Sequence, residues 1–368
     1  MSEEFKILSD IEHVKLRPGM YIGSISNESV ERFIYGKYGE FQYVPGLVKI
    51  IEEVLDNSVD EAIRTNFKFA NIINVVIDKK SVTITDNGRG IPHDLIKTPE
   101  GNEIPKAVAA WTRTKAGSNF EDEGRVTGGM NGVGSSLTNI FSSKFVGETC
   151  DGKNVLTVSC SNNLSKMEYH SKPKKMAGTS VTFEPDFKIF ECDDISDTVI
   201  DIIHDRILAL SVVFPKIKFV FNGSIVNSSF KNYSKMYGDG IVLETKNGSI
   251  GITSSDDGFR QVSYVNGLHT KNGGSHVDWL TDELTTELIP QIKRKYKVDV
   301  TRARIKECMT LVFIVSNMTN LKFDSQTKER LTNTWGEVKS HLDIDIKKLS
   351  KLVLDSDEII IPIIEAAL

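Results

Sequence analysis

Apolar side chains recur at helical spacing between Gly46 and Arg64, at Leu47, Ile50, Ile51, Val54, Leu55, Val59, Ala62 and Ile63. That period predicts one long helix with a core-facing stripe. After it the period changes to two. Ile72–Asp78 and Ser81–Thr85 are β-branched runs joined by Lys79-Lys80, which predicts a hairpin. From about Ile91 to Gly134 periodicity fades and glycine and polar residues accumulate, a length that suits a functional loop or lid better than a connector. Strands are predicted again at 144–149, 154–160 and 179–183, then a helix at 195–210 and a strand at 217–221. A second unit is predicted from about Gly238-Asp-Gly240, with strands near 249–254, 260–265 and 309–315. Between the last two lies a helical stretch, 276–296, interrupted at Pro290. One long final helix is expected from Trp335, kinked or broken at Pro362. It closes on Glu-Ala-Ala-Leu368 without a breaker, as a chain cut inside a continuing helix would.

Bulk composition narrows the class. A chain of 368 residues suits two domains, and 39% apolar with 26% charged residues describes a soluble globular protein. Apolar runs fall far short of the roughly 18 residues that span a bilayer, and no basic-then-apolar leader opens the chain, so a cytoplasmic protein without a membrane partner is expected. Cys150, Cys160, Cys192 and Cys308 form no Cys-x-x-Cys pair and read as reduced structural thiols. A formal net charge of −5 means that any DNA contact must come from a local basic patch.

Five segments carry candidate chemistry. On the first helix Glu53 and Asn57 are one turn apart, with Asp60 and Glu61 a turn further on. A carboxylate beside a carboxamide can orient a water and hold a Mg²⁺ that carries phosphates; a solvated acidic face would look the same. Asp86-Asn-Gly88-Arg89-Gly90-Ile91-Pro92 ends a β-rich run, and by itself Asp-Asn-Gly is ordinary turn chemistry. With a second glycine behind it, the carboxylate could accept a hydrogen bond from an adenine amino group while the backbone comes close to the ring. Gly128-Gly129-Met-Asn131-Gly132-Val133-Gly134-Ser135 runs into a helix start, which makes an anion site of backbone N–H groups. It lacks the Lys-Ser/Thr of a Walker-type loop, and no strand leads into it as in a dinucleotide fold. Gly178-Thr179 opens a strand, and Gln326-Thr-Lys328 sits on a loop after one; taken singly these are a strand start and a surface charge.

Taken in order, Glu53-x-x-x-Asn57, Asp86-x-Gly88-x-Gly90, Gly129-x-x-Gly132-x-Gly134 and Gly178-Thr179 resemble the four sequence boxes of the GHKL ATPases. That superfamily joins gyrase-type topoisomerases, clamp-type chaperones, mismatch-repair clamps and histidine kinases. Arg17-Pro-Gly-Met-Tyr-Ile-Gly23, Gly273-Gly-Ser-His276 and Gln326-Thr-Lys-Glu329 look like type II DNA topoisomerases in particular. The segments Val44-Pro-Gly-Leu-Val48 and Arg125–Phe141 look like the large ATPase subunits of T-even type phages. Many bacterial gyrases carry Tyr-Lys where this chain has Gly124-Arg125, so a tyrosine contact from that position is not carried over. The Gln-Thr-Lys-Glu and Gly-Gly-Ser-His segments speak against a chaperone or repair ATPase. A nucleotide-gated interaction module that barely turns ATP over is the alternative from another class.

The resemblance implies an α+β fold: a Bergerat-type two-layer sandwich, a mixed sheet with helices on one face, followed by an α/β transducer domain like domain 2 of ribosomal protein S5. It implies a dimerisation arm over 1–20, an ATPase domain over 21–238 with its lid at about 91–134, and a transducer over 239–368 ending in a long helix. By the same resemblance Glu53 is the general base, Asn57 the Mg²⁺ ligand, and Asp86 the adenine reader supported by Thr179 within a pocket that includes Arg89, Gly90, Ile91 and Pro92. Gly129, Asn131, Gly132, Val133, Gly134 and Ser135 wrap the phosphates, and Gln326 and Lys328 reach the γ-phosphate. The implied cofactors are ATP and Mg²⁺. The implied partners are a second copy bound through the N-terminal domains when ATP is bound, double-stranded DNA and a DNA-cleavage subunit or domain of the same topoisomerase, whose own chemistry this chain is expected to lack. Lys293, Arg294, Lys295, Arg302 and Arg304 form the densest basic stretch, equally readable as a DNA-cavity lining or a solvated helix face. Asp343-Ile-Asp345 reads as helix N-terminal charge.

Overall fold

A computed structural model describes residues 10–114 and 134–368. Two compact units emerge: residues up to Arg32 with Glu40–Asn227, and Phe33–Gly39 with Ser228–Leu368.

The first unit is built on an eight-stranded sheet. Its strands are β3 (Ile72–Ile77), β4 (Val82–Asp86), β7 (Ser142–Cys150), β8 (Asn154–Ser161), β9 (Lys166–Pro173), β10 (Gly178–Pro185), β11 (Lys218–Phe221) and β12 (Ser224–Val226), in the order β12-β11-β3-β4-β10-β7-β8-β9. All neighbours are antiparallel except β11 and β3, so the sheet is mixed. Burial alternates along β3: Ile73, Val75 and Ile77 are buried, whereas Ile72 and Val76 are each 44% exposed. One face is therefore covered and the other open. The cover includes α1 (Pro45–Arg64), α3 (Gly134–Ile140) and α4 (Asp197–Val213), which pack on β4, β7 and β11 respectively. Pro45 opens α1 at the first turn, where a missing N–H costs nothing, and Ser196 caps α4 by accepting from the Val199 amide.

Three features of this unit depart from the sequence expectation. A hairpin of β1 (Glu28–Ile34) and β2 (Lys37–Tyr43) precedes α1. The described part of the expected lid contains β5 (Leu95–Lys97), β6 (Glu103–Pro105) and the helix α2 (Lys106–Thr112), which buries Trp111. Strand β9 was not predicted, because all eight of its residues are exposed and carry no alternation.

The second unit holds a five-stranded sheet of β13 (Gly240–Glu244), β14 (Gly248–Ser254), β15 (Arg260–Val265), β16 (Leu268–His269) and β17 (Met309–Val315), in the order β13-β14-β17-β15-β16. Central β17 is buried along its whole length, as a strand with neighbours on both sides and cover on both faces must be. The short α5 (Phe230–Lys235) leads into this sheet and α7 (Arg302–Glu307) precedes β17. The expected break at Pro290 does not occur: α6 (Ser275–Tyr296) runs straight through it. Pro290 lies on the exposed side, where water can satisfy the carbonyl that loses its partner. The long final helix is also overturned. The end folds as α8 (Trp335–Leu342), α9 (Ile346–Leu354) and α10 (Asp357–Ala367). Asp343 takes a left-handed conformation (φ 48°) that stops α8, and Asp345 restarts the chain by capping α9 at the Lys348 amide. Pro362 lies inside α10 without breaking it. No described helix is long and apolar enough to cross a membrane.

Candidate functional site

Helix α1 does not present a solvated acidic face. Glu53 and Asp60 are buried, and of the polar residues singled out on this helix Asn57 is the exposed one. The remaining carboxylates are engaged one by one. Glu52 and Asp56 pair with Arg206 of α4, Glu61 pairs with Arg89, and Glu53 lies 3.5 Å from the Lys49 ammonium. Burial alone would pull the Lys49 ammonium down, but the carboxylates of Glu53, Glu52 and Asp56 outweigh it and hold the group above its ordinary value.

Beside Glu53 begins α3. A Cβ added to Gly134 would come within 2.2 Å of the Glu53 carboxylate, so glycine is what lets the backbone of this helix start approach the side chain. One turn along α1, the Asn57 carboxamide donates to the Ser135 hydroxyl. A carboxylate, a carboxamide and the first turn of a helix thus meet at one place. Gly129, Asn131, Gly132 and Val133 lie outside the described residues.

A second group forms where β4 ends. Asp86 is buried, opposite Thr179 in the β4–β10 register. Its carboxylate accepts from the Ser58 hydroxyl at 2.5 Å and from the Gly88 amide at 2.8 Å. Burial raises the Asp86 carboxyl above its usual range, and those two donors work the other way by favouring the ionised form. Glycines frame it: a Cβ at Gly88 would fall 2.7 Å from the Asp86 carboxylate, and one at Gly178 (φ 153°) 2.7 Å from the Asp86 carbonyl. Thr149 ties the neighbourhood together, hydrogen-bonding the Thr179 hydroxyl at 2.9 Å and accepting from the Ile91 amide at 2.7 Å. Gly90 adopts φ +83° with its Cα packed on the Cys150 carbonyl, and the exposed Pro92 follows Ile91. Arg89 is held by Glu61 through both its amide and its guanidinium.

Gln326 and Lys328 belong to the second unit. Lys328 is buried with φ +58°, and its amide bonds to the Ser325 carbonyl. The loop is pinned to the start of α6: Glu329 receives bonds from the Asn272 amide and side chain, and Arg330 pairs with Asp278 at 2.9 Å. Gly274 sits against the Leu331 backbone, where a Cβ would come within 2.5 Å. The Gly273-Gly-Ser275 segment thereby seats the backbone at Leu331, just after the Gln326–Lys328 loop.

Acidic residues answer most of the basic stretch. Lys293 pairs with Asp299, Lys295 with Asp355, Arg302 with Asp282 and Arg304 with Glu307, all at exposed or half-buried positions. Arg294 is exposed in the last turn of α6.

Comparison with known proteins gives this geometry a family. Residues 43–189 match the model for histidine kinase-, DNA gyrase B- and HSP90-like ATPases, and residues 226–368 match the DNA gyrase B model. The DNA topoisomerase large subunit of Enterobacteria phage T4 is 57% identical over 370 residues, covering 100% of this chain and 72% of that protein. This chain belongs to the type II DNA topoisomerases. It corresponds to their ATPase and transducer region. The crystal structure of the ATPase region of Saccharomyces cerevisiae topoisomerase II superposes with a TM-score of 0.87 at 27% identity, covering 100% of both chains. The ATPase and transducer domains of the Balamuthia mandrillaris enzyme give a TM-score of 0.87 at 29% identity over 97% of this chain and 96% of that one. The chain spans about a quarter of the length of cellular relatives such as the Pisum sativum DNA topoisomerase 2. The α+β reading and the assignment of this topoisomerase region to an ATP-binding GHKL fold hold.

Sequence reasoning missed Ser58, Thr149, Lys49 and Arg206. Ser58 follows Asn57 directly and could have been suspected; an arginine inside the apolar 195–210 helix was a signal left unused.

Proposed function

We propose that this chain is an ATP-hydrolysing clamp, with a dimerisation arm over 1–20, a nucleotide domain over 21–238 and a transducer over 239–368. The supporting observation is the meeting of Glu53, Asn57 and the glycine-led start of α3. In this reading Glu53 takes the proton from the attacking water as its oxygen bonds to the γ-phosphorus and ADP leaves. Asp86 accepts from the adenine amino group while Ser58 and the Gly88 amide keep its carboxylate ionised, and Thr179 and Thr149 steady that corner. Gly129, Asn131, Gly132, Val133, Gly134 and Ser135 supply the phosphate cradle, with Arg89, Gly90, Ile91 and Pro92 along the base side. Gln326 and Lys328 would complete the γ-phosphate contacts. A lysine that arrives with the second domain makes hydrolysis depend on conformation.

Mg²⁺ fits the donor set. Among the described residues no group of three or more His, Cys, Asp or Glu is gathered as a metal cage, and Mg²⁺ on a nucleotide needs few protein ligands because phosphates and water supply the rest. With its amide nitrogen on Ser135, Asn57 has its carboxamide oxygen to offer. The ion would neutralise charge on the phosphates.

ATP would join two N-terminal domains, with arms exchanged, around a DNA segment, and hydrolysis would release it; a cleavage subunit or domain of the same topoisomerase would cut the DNA in the host cytoplasm. Lys293, Arg294, Lys295, Arg302 and Arg304 are candidate DNA contacts, which their acidic neighbours weaken. Steady-state ATPase activity against protein concentration, with Mg²⁺, tests the reading on the wild type and Glu53→Ala. Turnover should rise faster than linearly and fall by roughly 100-fold or more in the variant. Equal activity in both removes Glu53 as the base, and ATP binding without turnover in either favours the interaction module.

A further inference from the structure

The helix that carries the proposed base is gripped from behind by one buried side chain. Arg206 of α4 is 4% exposed. Its guanidinium reaches Glu52 at 2.7 Å and Asp56 at 2.5 Å. These acceptors are one turn apart on α1, and each immediately precedes a residue of the nucleotide site, Glu53 and Asn57. A planar fork that engages two carboxylates on successive turns fixes both the rotation of a helix about its axis and its position along it. A point charge on a flexible stem could satisfy either carboxylate but would define neither coordinate as well.

The need for such a grip follows from what α1 has to bury. Glu52, Glu53 and Asp56 stand within one turn, and the Lys49 ammonium beside Glu53 is the neighbouring cation on the same helix. Without Arg206, Glu52 and Asp56 would be poorly solvated like charges sharing with Glu53 the single Lys49 ammonium, and the cheapest relief is for α1 to roll them toward water. Any such roll carries Glu53 away from Gly134 and Asn57 away from Ser135. Alignment of an attacking water tolerates little of this: a displacement of about 1 Å can cost roughly 100-fold in rate.

We infer that Arg206 is a positioning residue for ATP hydrolysis, holding α1 in the rotation that aims Glu53 and Asn57 at the phosphates. The inference rests on the proposed role of Glu53. It requires that Arg206 touch neither substrate nor metal, so its loss should act on kcat far more than on nucleotide binding.

The test measures kcat, KM and nucleotide Kd for the full chain and for Arg206→Gln, Arg206→Lys and Glu53→Ala, with thermal melts alongside. Arg206→Gln should lose roughly tenfold or more in kcat with Kd within about twofold of wild type, and Arg206→Lys should recover part of the loss. If Arg206→Gln does not fold, the variant Glu52→Gln/Asp56→Asn/Arg206→Met decides, because it removes the cluster without stranding a charge. That variant should bind nucleotide and hydrolyse it slowly. Wild-type kcat in either folded variant, or a loss confined to KM, overturns the inference. Full activity in Glu53→Ala would instead overturn the role of Glu53 and leave the two failures distinct.

Discussion

In each unit a titratable side chain is buried against hydroxyl groups, Asp86 in the first and His276 in the second, and the two differ in what surrounds them. Asp86 at the end of β4 accepts from Ser58 and from the Gly88 amide, with glycines at 88 and 178 keeping space and backbone close around it. His276 in the first turn of α6 is fully buried, its Nε2 within 3.1 Å of Ser263 and 3.3 Å of Thr270, its ring tilted against Phe313. Ser263 and Thr270 also bond to each other at 2.6 Å. Phe313 lies against its ring, and both partners of its Nε2 are themselves fully buried. Desolvation, helped by the nearby Arg330 charge, drives its imidazolium down to about 3, so it is a neutral packing group. Asp86 has glycines and hydrogen-bond donors at its carboxylate, whereas His276 has Phe313 on its ring and buried hydroxyls at Nε2.

The largest effect that separates them is on stability. Replacing His276 by Ala should cost about 3 kcal/mol by urea denaturation, from a cavity between β15 and α6 and lost hydrogen bonds. ATP affinity should stay within about twofold of wild type. A variant that folds as firmly as wild type but loses nucleotide would place His276 in a site after all.

Asp86→Asn should behave in the opposite way. Losing a charged acceptor for the adenine amino group should weaken ATP by about 1.5–3 kcal/mol, or roughly 10- to 100-fold in Kd by calorimetry. The nucleotide-free protein should melt slightly higher, because a poorly solvated carboxylate has gone. Unchanged affinity would strike Asp86 from the site. Gly88→Ala should follow with a smaller loss, about tenfold, because its Cβ would push on the Asp86 carboxylate without removing it.

That contrast also shows how much the chain disclosed by itself. The α1 stripe and the β3–β4 hairpin were readable because their periods are local and nearly unbroken. The Glu53–Asn57 and Asp86–Gly90 boxes were readable because each is contiguous in sequence. Contacts that depend on distant segments were not. Thr149 reaches Thr179 and Ile91 across strand pairing, and Arg206 meets Glu52 and Asp56 across 150 residues or more. The hairpin tip at 33–39 joins the second unit although it lies before α1, a placement no local pattern encodes. Acidity on α1 was ambiguous in sequence for the same reason: its carboxylates look solvated until the cations from α4 and the 86–92 turn are placed beside them.

The most discriminating effect is the sign of each group's pH dependence. His276 has a folded-state value near 3 against 6.5 in an exposed chain, so as pH falls below 6.5 the unfolded state takes up the proton first. Its contribution to stability is complete above 6.5 and is lost toward pH 3, at about 1.4 kcal/mol per pH unit. Asp86 is raised above 3.8, so its contribution runs the other way, present below 3.8 and lost as pH rises through the folded value. Urea midpoints of wild type, His276→Gln and Asp86→Asn, followed from pH 7 downward, resolve the two. Acidification should shrink the gap between wild type and His276→Gln, since wild type loses what the glutamine variant never had. As pH falls through the folded value of the Asp86 carboxyl, wild type should gain on Asp86→Asn. Parallel shifts in all three proteins would mean that neither group titrates differently on folding, and the contrast between an open and a sealed burial would then have to rest on ligand binding alone.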